Sequence, residues 1–420
     1  MLRAPKTLIV SNSDTNGGAA IAAYRLHKAL LNENIQSSMK VRKKYTSDVS
    51  VIASKSNLDS ILDYVRTILG KVLRLIHRTK NQNYHSFNLI PTNWAKIINE
   101  SEFDVVNLHW LGNNTMSIND IGKIEKPIIM TFHDMWGFCG GEHVLNEDEY
   151  SRFIDGYNKE NNSIGFDLFD VNRIVWKKKL EKWNRNITII TPSSWLSSLV
   201  RKSYLFNNAN VHTIPNIIDL DKFKPADKAK CKRELNIPSD SNVILFGANN
   251  STRSKNKGFD LLINSLNKLK TINKLDNVVC VVFGSENPKN RVKLPFETKW
   301  IGHVNDEEKM AKIYNTADVM VVPSRVENMP QTATEAQACG VPVVGFKTSG
   351  MPDAVCHKKT GLLAKAYDTD ELAEMIHRIL EKSELKNELS TNARERAVKI
   401  WNKDTILEQY VSAYLESMRT

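Results

Sequence analysis

The sequence predicts an α/β protein of two doubly wound domains, in which each parallel sheet carries helices on both faces. The 420 residues suffice for two such domains. An apolar strand, a turn-rich loop and a helix follow one another over residues 6–30, and the same order recurs over residues 243–269. This alternation is typical of open α/β sheets. We place the boundary within residues 211–219, which gives domains of residues 1–214 and 215–401.

The elements follow from short apolar runs, which predict buried strands, and from apolar residues at helical spacing, which predict helices. Strands are expected at residues 6–10, 103–109, 127–133, 188–190, 243–247, 278–284, 300–302 and 319–322. Helices are expected at residues 19–30, 60–80, 173–185, after Ser193, at 259–269, 306–317, 331–339, within 370–401 and at 405–418. Residues 147–172 are polar, which predicts an irregular surface excursion.

Composition and charge limit the class of function. A hydrophobic content of 41% and a charged content of 25% are those of an ordinary soluble protein. The first residues lack the apolar region of a signal peptide, and five scattered cysteines form no C-x-x-C pair, which together predict a reduced, cytoplasmic protein. The net charge of +11 indicates an anionic partner. Because no nucleic-acid-binding motif is present, an anionic membrane surface or lipid-linked acceptor fits that charge better.

The most informative stretch is ADVMVVPSRVENMPQTATEAQACGVPVVG, residues 317–345. It predicts a strand, a turn, a helix and a second strand. Pro330 suits the first turn of a helix, where a missing N–H costs nothing. Gly340 stands where a left-handed cap would end that helix. The stretch therefore predicts one βαβ unit with a sharply defined helix start.

That helix start suits a phosphate, because its backbone N–H groups are free and its dipole is positive. The turn at Asn328, Met329 and Gln331 would hold the phosphate. Glu327 and Glu335, with seven residues between them, would bind hydroxyl groups on either side. A ligand that carries phosphate groups with hydroxyl groups on both sides of them is a nucleotide sugar. The alternative is a pair of solvated glutamates around an ordinary turn.

The stretch resembles the donor site of retaining glycosyltransferases of family 4, which have the GT-B fold. That family carries the same spacing of two glutamates, a helix of small residues and a G-x-P-V-V strand. The resemblance implies two Rossmann-like domains with an interdomain cleft, and a terminal helix, residues 402–420, that crosses back to the first domain. It also implies that Glu327 faces the donor sugar and Glu335 the ribose diol.

Other segments extend the resemblance. HDMW, from His133, is similar to the family's His-Asp-x-Trp segment, which implies that His133 contacts the donor sugar. T-P-S-x-W from Thr191 and the Pro215–Asn216 pair also match. His109 ends the preceding strand, and its position is equally consistent with a structural role.

Glycines and basic residues complete the expected donor site. Gly17 and Gly18 allow a close approach of the backbone to a ligand or simply a tight turn, and the family commonly has a glycine loop facing the donor phosphates here. Lys257, before Gly258, matches the family and would neutralise a diphosphate as a point charge. Where the family has a further arginine this chain has Ala248, so Arg253 or, less directly, Lys255 is expected to substitute.

Two amphipathic, basic stretches have open interpretations. Residues 60–80 predict either a surface helix packed on the core or an interfacial helix on anionic lipid. Residues 173–185, with Trp176 and Trp183, fit either an interface belt or a solvated basic helix. In each stretch the two interpretations differ in whether the large apolar side chains pack against the protein or face a membrane.

We therefore expect a retaining enzyme that moves a hexose from a nucleoside diphosphate sugar to a lipid-linked or glycan acceptor in surface polysaccharide biosynthesis. Glu327 and His133 are the candidate catalytic residues. No residues have metal-ligand spacing, so we expect neither metal nor other cofactor. The alternatives are a nucleotide-sugar 2-epimerase of the same fold, which needs no acceptor, and a non-catalytic basic binding protein for nucleic acid.

Overall fold

The computed structural model describes residues 4–53, 57–77, 79–162, 170–183, 186–247, 254–272, 276–286 and 293–419. The chain divides into two compact units, Met1–Asn216 with Ile406–Thr420, and Ile217–Thr405. The sequence predicts the division after residue 214 and the start of the returning segment at residue 402. Ile406, Tyr410 and Tyr414 of that segment are buried, and the Tyr414 hydroxyl accepts a hydrogen bond from Asn107 of the first unit at 2.9 Å.

The first unit contains a seven-stranded parallel sheet in the order β3-β2-β1-β4-β5-β6-β7. Its strands are β1 Thr7–Ser13, β2 Ser37–Lys43, β3 Val51–Ala53, β4 Val105–Leu108, β5 Ile128–Thr131, β6 Ile187–Thr191 and β7 Val211–Thr213. Its helices are α1 Gly18–Asn32, α2 Asn57–Ile76, α3 Trp94–Asn99, α4 Ile118–Gly122, α5 Ser151–Ile154, α6 Val171–Lys182 and α7 Ser194–Lys202. The central strands are buried along their whole length, as strands covered on both faces are.

The second unit contains a six-stranded parallel sheet in the order β10-β9-β8-β11-β12-β13. Its strands are β8 Asn242–Gly247, β9 Val278–Phe283, β10 Glu297–Gly302, β11 Val319–Val322, β12 Val343–Phe346 and β13 Gly361–Ala364. Its helices are α8 Lys228–Glu234, α9 Phe259–Ile272, α10 Glu307–Thr316, α11 Gln331–Ala338, α12 Met351–Ala354, α13 Thr369–Glu381 and α14 Ser383–Ile400. The last helix of the chain is α15, Lys403–Ser417.

Both sheets confirm the predicted doubly wound α/β fold. The strand order reverses between β1 and β4 in the first unit and between β8 and β11 in the second. At such a reversal the neighbouring connections run to opposite faces and leave a crevice at the carboxyl ends of the strands, where ligands bind. Gly17 and His109 follow the first pair of strands, and Lys257 and Glu327 follow the second pair.

The expectation of an irregular segment over residues 147–172 is wrong in part. A 3₁₀ turn and α5 lie within it, and α6 begins at Val171. Arg152 and Phe153 are fully buried. The guanidinium of Arg152 pairs with Asp170 and with Glu142, so partners distant in sequence allow a polar segment to enter the core.

The structure of helix α6 does not support the membrane-interface belt that was one interpretation of residues 173–185. Trp176 and Trp183 are both buried in the core of the first unit, so neither ring is placed to meet a membrane interface. Lys179 is fully buried as well, although Lys177 on the same helix is exposed. The interface-belt interpretation of this helix is therefore wrong.

Helix α2 forms as predicted, but most of its apolar stripe is not packed on the core: among the described side chains of the stripe, Leu73 packs against it. Its polar side faces the unit: the guanidinium of Arg42 donates to Thr67 at 2.7 Å, and Gly70 lies against the amide of Asn114. The apolar stripe is on the opposite side, and its side chains are 40% to 85% exposed: Leu62, Val65, Ile68, Leu69, Val72, Leu75 and Ile76. Among the described residues, no helix is long and apolar enough to cross a membrane.

Candidate functional site

In the second unit, the turn that carries Lys257 lies directly against the loop after β11. Lys257 ends a 3₁₀ turn, and Gly258 follows with a φ of 66°. A Cβ at Gly258 would lie 1.9 Å from the carbonyl oxygen of Pro323. Only glycine therefore permits both this left-handed backbone and this close approach, and the approach brings Lys257 beside the predicted donor loop.

Lys257 and Glu327 form an ion pair in which Nζ lies 2.6 Å from Oε1. The Lys257 side chain is 30% exposed and the Glu327 side chain 13%, so both are partly shielded yet within reach of a ligand. The two residues are seventy positions apart in sequence. The sequence assigned one to the diphosphate and the other to the sugar, and the structure brings them into contact.

Arg325, which no sequence motif indicates, fixes the same two loops. Its backbone N–H donates to the carbonyl of Asn256 at 2.8 Å, and its guanidinium donates to the carbonyl of Lys255 at 2.7 Å. Two further bonds at 2.8 and 2.6 Å join that guanidinium to both carboxylate oxygens of Asp260. These bonds to Arg325 lower the pKa of Asp260. A bidentate pair of this kind holds a fixed geometry, so Arg325 positions the turn that carries Lys257.

The backbone around Glu327 is held from the loop after β12. The N–H of Glu327 donates to the Ser349 hydroxyl at 2.9 Å, and the N–H of Gly350 donates to the Glu327 carbonyl at 2.8 Å. A Cβ at Gly350 would lie 1.5 Å from the carbonyl oxygen of Asn328. A side chain at Gly350 would therefore displace the loop that carries Glu327 and Asn328.

Pro330 is the capping residue at the start of α11 and makes no side-chain hydrogen bond of its own. Gln331 is the first helical residue, as predicted, and Met329 packs partly against the core. Glu335 lies one turn along the helix and is only 6% exposed. Its Oε2 accepts a hydrogen bond from the Tyr314 hydroxyl at 2.9 Å. Glu335 is thus fixed by a buried hydrogen bond from Tyr314, whereas Glu327 is fixed by its ion pair with Lys257.

In the first unit, Gly17 and Gly18 stand at the start of α1, where β1 ends. Gly17 has a φ of 100°, and a Cβ there would meet nothing within 4 Å. Its requirement for glycine is therefore conformational. Gly18 is the first residue of the helix. Both lie at the edge of the sheet where β4 and β5 also end.

His133, after β5, hydrogen-bonds through Nε2 to Nδ1 of His109 at 3.0 Å. Burial lowers the pKa of His133 to about 4 and holds the pKa of His109 well below its usual range. Both imidazoles are therefore neutral at pH 7. A neutral imidazole at the donor sugar can donate or accept a hydrogen bond without adding charge.

Asp134, beside His133, is held by two other side chains. Its Oδ2 lies 2.6 Å from Nδ1 of His143 and accepts a hydrogen bond from the indole N–H of Trp110 at 2.7 Å. Despite burial, His143 keeps the pKa of Asp134 below its ordinary value. Asp134 is therefore a charged structural partner of His143, which in turn hydrogen-bonds Ser86 at 2.8 Å.

Lys179 of α6 holds the loop that begins at His133. Its ammonium donates to the carbonyls of Trp136, Cys139 and Gly140, and it lies 4.0 Å from the centre of the Trp136 ring. Burial lowers the pKa of Lys179 to about 7, although Glu142 and Asp134 oppose that shift. A single buried lysine thus satisfies three loop carbonyls.

Replacing Lys179 with methionine should lower the free energy of unfolding by about 3 kcal/mol or more, because three buried carbonyls lose their donor. Since burial lowers the folded-state pKa to about 7 from 10.5, the unfolded chain binds more protons between those pH values. The stability of the wild type relative to Lys179→Met should therefore rise with pH above about 7, by up to about 1.4 kcal/mol per pH unit.

Denaturant unfolding from pH 6 to 10 measures this difference. The exposed Lys177→Met on the same helix is the matched control, and it should change stability by less than about 0.5 kcal/mol. Equal effects of the two substitutions, or a difference that falls with pH, would contradict the assignment.

The role of Arg253 at the diphosphate and the independence from metal remain predictions. Arg253 and Ala248 lie outside the described residues. Within the residues that the structure describes, no group of three or more histidine, cysteine, aspartate or glutamate side chains is arranged to hold a metal ion. Lys255, the other basic candidate, is exposed and offers its backbone carbonyl to Arg325.

Comparison with known proteins agrees with this architecture. The model of Glycosyltransferase Family 4 matches residues 16–222, and that of Glycosyl transferases group 1 matches residues 227–396. A D-inositol 3-phosphate glycosyltransferase of Saccharomonospora viridis is 29% identical over 223 residues, which are 50% of this chain and 50% of the relative. The chain spans about half the length of the curated relatives it matches.

Two solved structures share the fold over almost the whole chain. Sucrose-phosphate synthase from Thermosynechococcus elongatus has a TM-score of 0.65 at 19% identity and covers 98% of each chain. HepE of Anabaena, in complex with UDP-glucose, has a TM-score of 0.64 at 16% identity and covers 98% of this chain and 100% of its own. The predicted resemblance to family 4 is confirmed at the level of family and fold. The first part of this chain therefore matches Glycosyltransferase Family 4 and the second matches Glycosyl transferases group 1, and its two Rossmann-like domains have the GT-B fold of these solved structures.

Proposed function

We propose that this chain is a retaining hexosyltransferase that uses a nucleoside diphosphate sugar as donor and a lipid-linked or glycan acceptor of surface polysaccharide biosynthesis. The observation that carries the proposal is the contact between Lys257 and Glu327 beside the start of α11. A cation and a helix start offset the charge of a diphosphate. A carboxylate beside them suits the sugar.

In this proposal each residue has a separate role. Lys257 and the N–H groups at Asn328 and Gln331 hold the diphosphate and stabilise it as the leaving group, which is usually the largest catalytic contribution. Glu327 faces the hexose. Glu335 binds the ribose diol with the carboxylate that Tyr314 holds.

The remaining roles fall to the first unit. Gly17 and Gly18 allow the backbone to approach the phosphates, and His133 contacts the sugar. Retention follows the family resemblance, with attack on the face that the diphosphate leaves and the donor phosphate taking the acceptor proton. No residue is assigned as a catalytic base.

The names of the relatives guide the choice of substrates. HepE binds UDP-glucose, so UDP-sugars are the first donors to test. The relative from Saccharomonospora viridis is named for D-inositol 3-phosphate, a small phosphorylated acceptor. A small sugar or polyol phosphate is therefore the second acceptor class, and it too would match the positive net charge.

The direct test is product formation with UDP-, GDP- and ADP-hexoses, offered with lipid-linked sugars and, separately, with sugar and polyol phosphates. Transfer with the donor's anomeric configuration retained, read by NMR of the product, is the expected result. Turnover of the donor alone into a second nucleotide sugar would identify the 2-epimerase instead. Nucleic-acid binding without affinity for any nucleotide sugar would identify the basic binding protein.

Transfer is expected to proceed without a divalent metal, because Lys257 and the start of α11 supply the positive charge that a metal otherwise provides. Activity after extensive treatment with EDTA should equal that of the untreated protein. Loss of activity that magnesium or manganese restores would contradict this expectation.

We also propose that α2 docks the protein on an anionic membrane surface. The helix presents an exposed apolar stripe away from its own unit, and Lys71, which is also exposed, lies beside that stripe. An apolar face flanked by basic side chains binds in the lipid interface, and each basic residue near an anionic surface contributes about 1 kcal/mol. The side chains of residues 57–61, and Arg78, lie outside the described residues.

Replacing Val65, Leu69 and Val72 together with serine should reduce binding to anionic vesicles at least tenfold, because these side chains are the centre of the stripe. Replacing the similarly exposed Ile174 and Val398 is the control and should leave binding unchanged. Vesicle co-sedimentation at rising salt measures both, and wild-type binding should weaken as salt rises. Equal binding to neutral and anionic vesicles, or none to either, would refute the proposal.

A further inference from the structure

His109 and His133 follow neighbouring strands of the first sheet, one residue after β4 and two residues after β5. β4 and β5 pair in parallel, so the residues that follow them meet at the same edge of the sheet. The N–H of His109 donates to the carbonyl of Val10 at 2.8 Å, which fixes the backbone of His109 against β1. The imidazoles then hydrogen-bond each other at 3.0 Å, with ring centres 5.2 Å apart.

The environment of His109 restricts where its hydrogen lies. His109 is only 3% exposed, and its Nε2 has no hydrogen-bond partner among the described residues. Because burial keeps both pKa values low, the two neutral rings share a single N–H···N bond. If Nε2 of His109 carried its hydrogen, a buried donor would lack an acceptor, which is rarer in proteins than an acceptor without a donor.

The favoured arrangement therefore places the His109 hydrogen on Nδ1, from which it is donated to Nε2 of His133. A neutral histidine that accepts at one ring nitrogen carries its hydrogen on the other. His133 then carries its N–H at Nδ1. That N–H is suited to donate to a hydroxyl or phosphate oxygen.

We infer that His109 is a positioning residue that fixes His133 in the tautomer protonated at Nδ1, so that His133 acts as a hydrogen-bond donor towards the nucleotide sugar. The role of His133 towards that ligand rests on the proposed function. The tautomer itself does not, because it is a property of the protein without donor.

The first measurement is the tautomer of His133 in donor-free protein, read from long-range proton–nitrogen NMR correlations in histidine-labelled samples at pH 7. His133 should be protonated at Nδ1 in the wild type. His109→Leu removes the partner and should shift His133 towards protonation at Nε2. His109→Asn keeps an N–H near the position of Nδ1 and should retain the wild-type tautomer.

The second measurement compares transfer by the same variants. His109→Leu should lower kcat on the order of tenfold with a smaller change in the donor KM, because one oriented hydrogen bond is affected. His109→Asn should recover most of that loss. His27→Asn, at another buried histidine of the first unit, controls for general damage and should leave the His133 tautomer unchanged.

Protonation of wild-type His133 at Nε2, or a tautomer that His109→Leu does not alter, would overturn the inference. A kcat for His109→Leu equal to that of the wild type would overturn it as well. If the tautomers behave as expected but wild-type protein transfers sugar from no donor, the proposed function has failed and the pairing of the two histidines stands.

Discussion

Lys257→Met should weaken binding of the nucleoside diphosphate on the order of a hundredfold and lower transfer at least as much. A hydrogen bond to a charged group contributes about 1.5 to 3 kcal/mol. The loss is compounded because Glu327, only 13% exposed, would remain without the cation that lies 2.6 Å from it. An unneutralised carboxylate beside the diphosphate would repel it.

The control for this prediction is Lys347→Met, at an exposed residue of the loop after β12 in the same unit. That substitution removes the same formal charge close to the site but leaves the Lys257–Glu327 pair intact, so binding should fall less than about threefold. Isothermal titration of the nucleotide measures both variants. Equal losses would show that general positive charge, and not Lys257, binds the diphosphate.

Glu327→Gln should lower transfer on the order of a hundredfold while nucleoside diphosphate affinity stays equal or increases. The carboxylate competes with the phosphates for Lys257, so its neutralisation frees the cation for the nucleotide. The same carboxylate is proposed to face the sugar, where positive charge develops as the bond to the leaving group breaks. Its loss should therefore appear in kcat.

Glu335→Gln gives the opposite pattern and serves as the comparison. Glu335 is proposed to bind the ribose diol, and a hydrogen bond to a charged acceptor is roughly twice as strong as a neutral one. Nucleotide affinity should therefore fall in Glu335→Gln. Affinity that falls in Glu327→Gln and is unchanged in Glu335→Gln would reverse the two assignments.

Much of the fold could be predicted because its central strands are locally distinctive. Residues 319–322 and 278–283 are β-branched or otherwise apolar runs buried on both faces, and α11 is bounded by Pro330 and Gly340. Such signals are contained within a few residues. The strands β2, β3, β7 and β13 were missed, since their alternating or very short sequences resemble loops.

The parts of the site that could not be predicted depend on contacts between distant residues. Arg325 meets Asp260 across 65 positions, and Lys179 meets the loop after β5 across about 40. Neither pairing leaves a pattern in the sequence, because charged residues on helices and loops are usually solvated. The direction of the apolar stripe of α2 was hidden for a related reason: periodicity shows that a helix has two faces but not which one meets the protein.

The central claim is that the second unit binds a nucleoside diphosphate sugar through Lys257. Thermal unfolding of the wild type and of Lys257→Met with UDP, GDP, ADP and their hexoses tests it most directly. At about 100 times its dissociation constant, the correct nucleotide should stabilise the wild type by roughly 2.7 kcal/mol, and the same concentration should stabilise Lys257→Met far less. No shift with any nucleotide at millimolar concentration, or equal shifts in the two proteins, would contradict the claim.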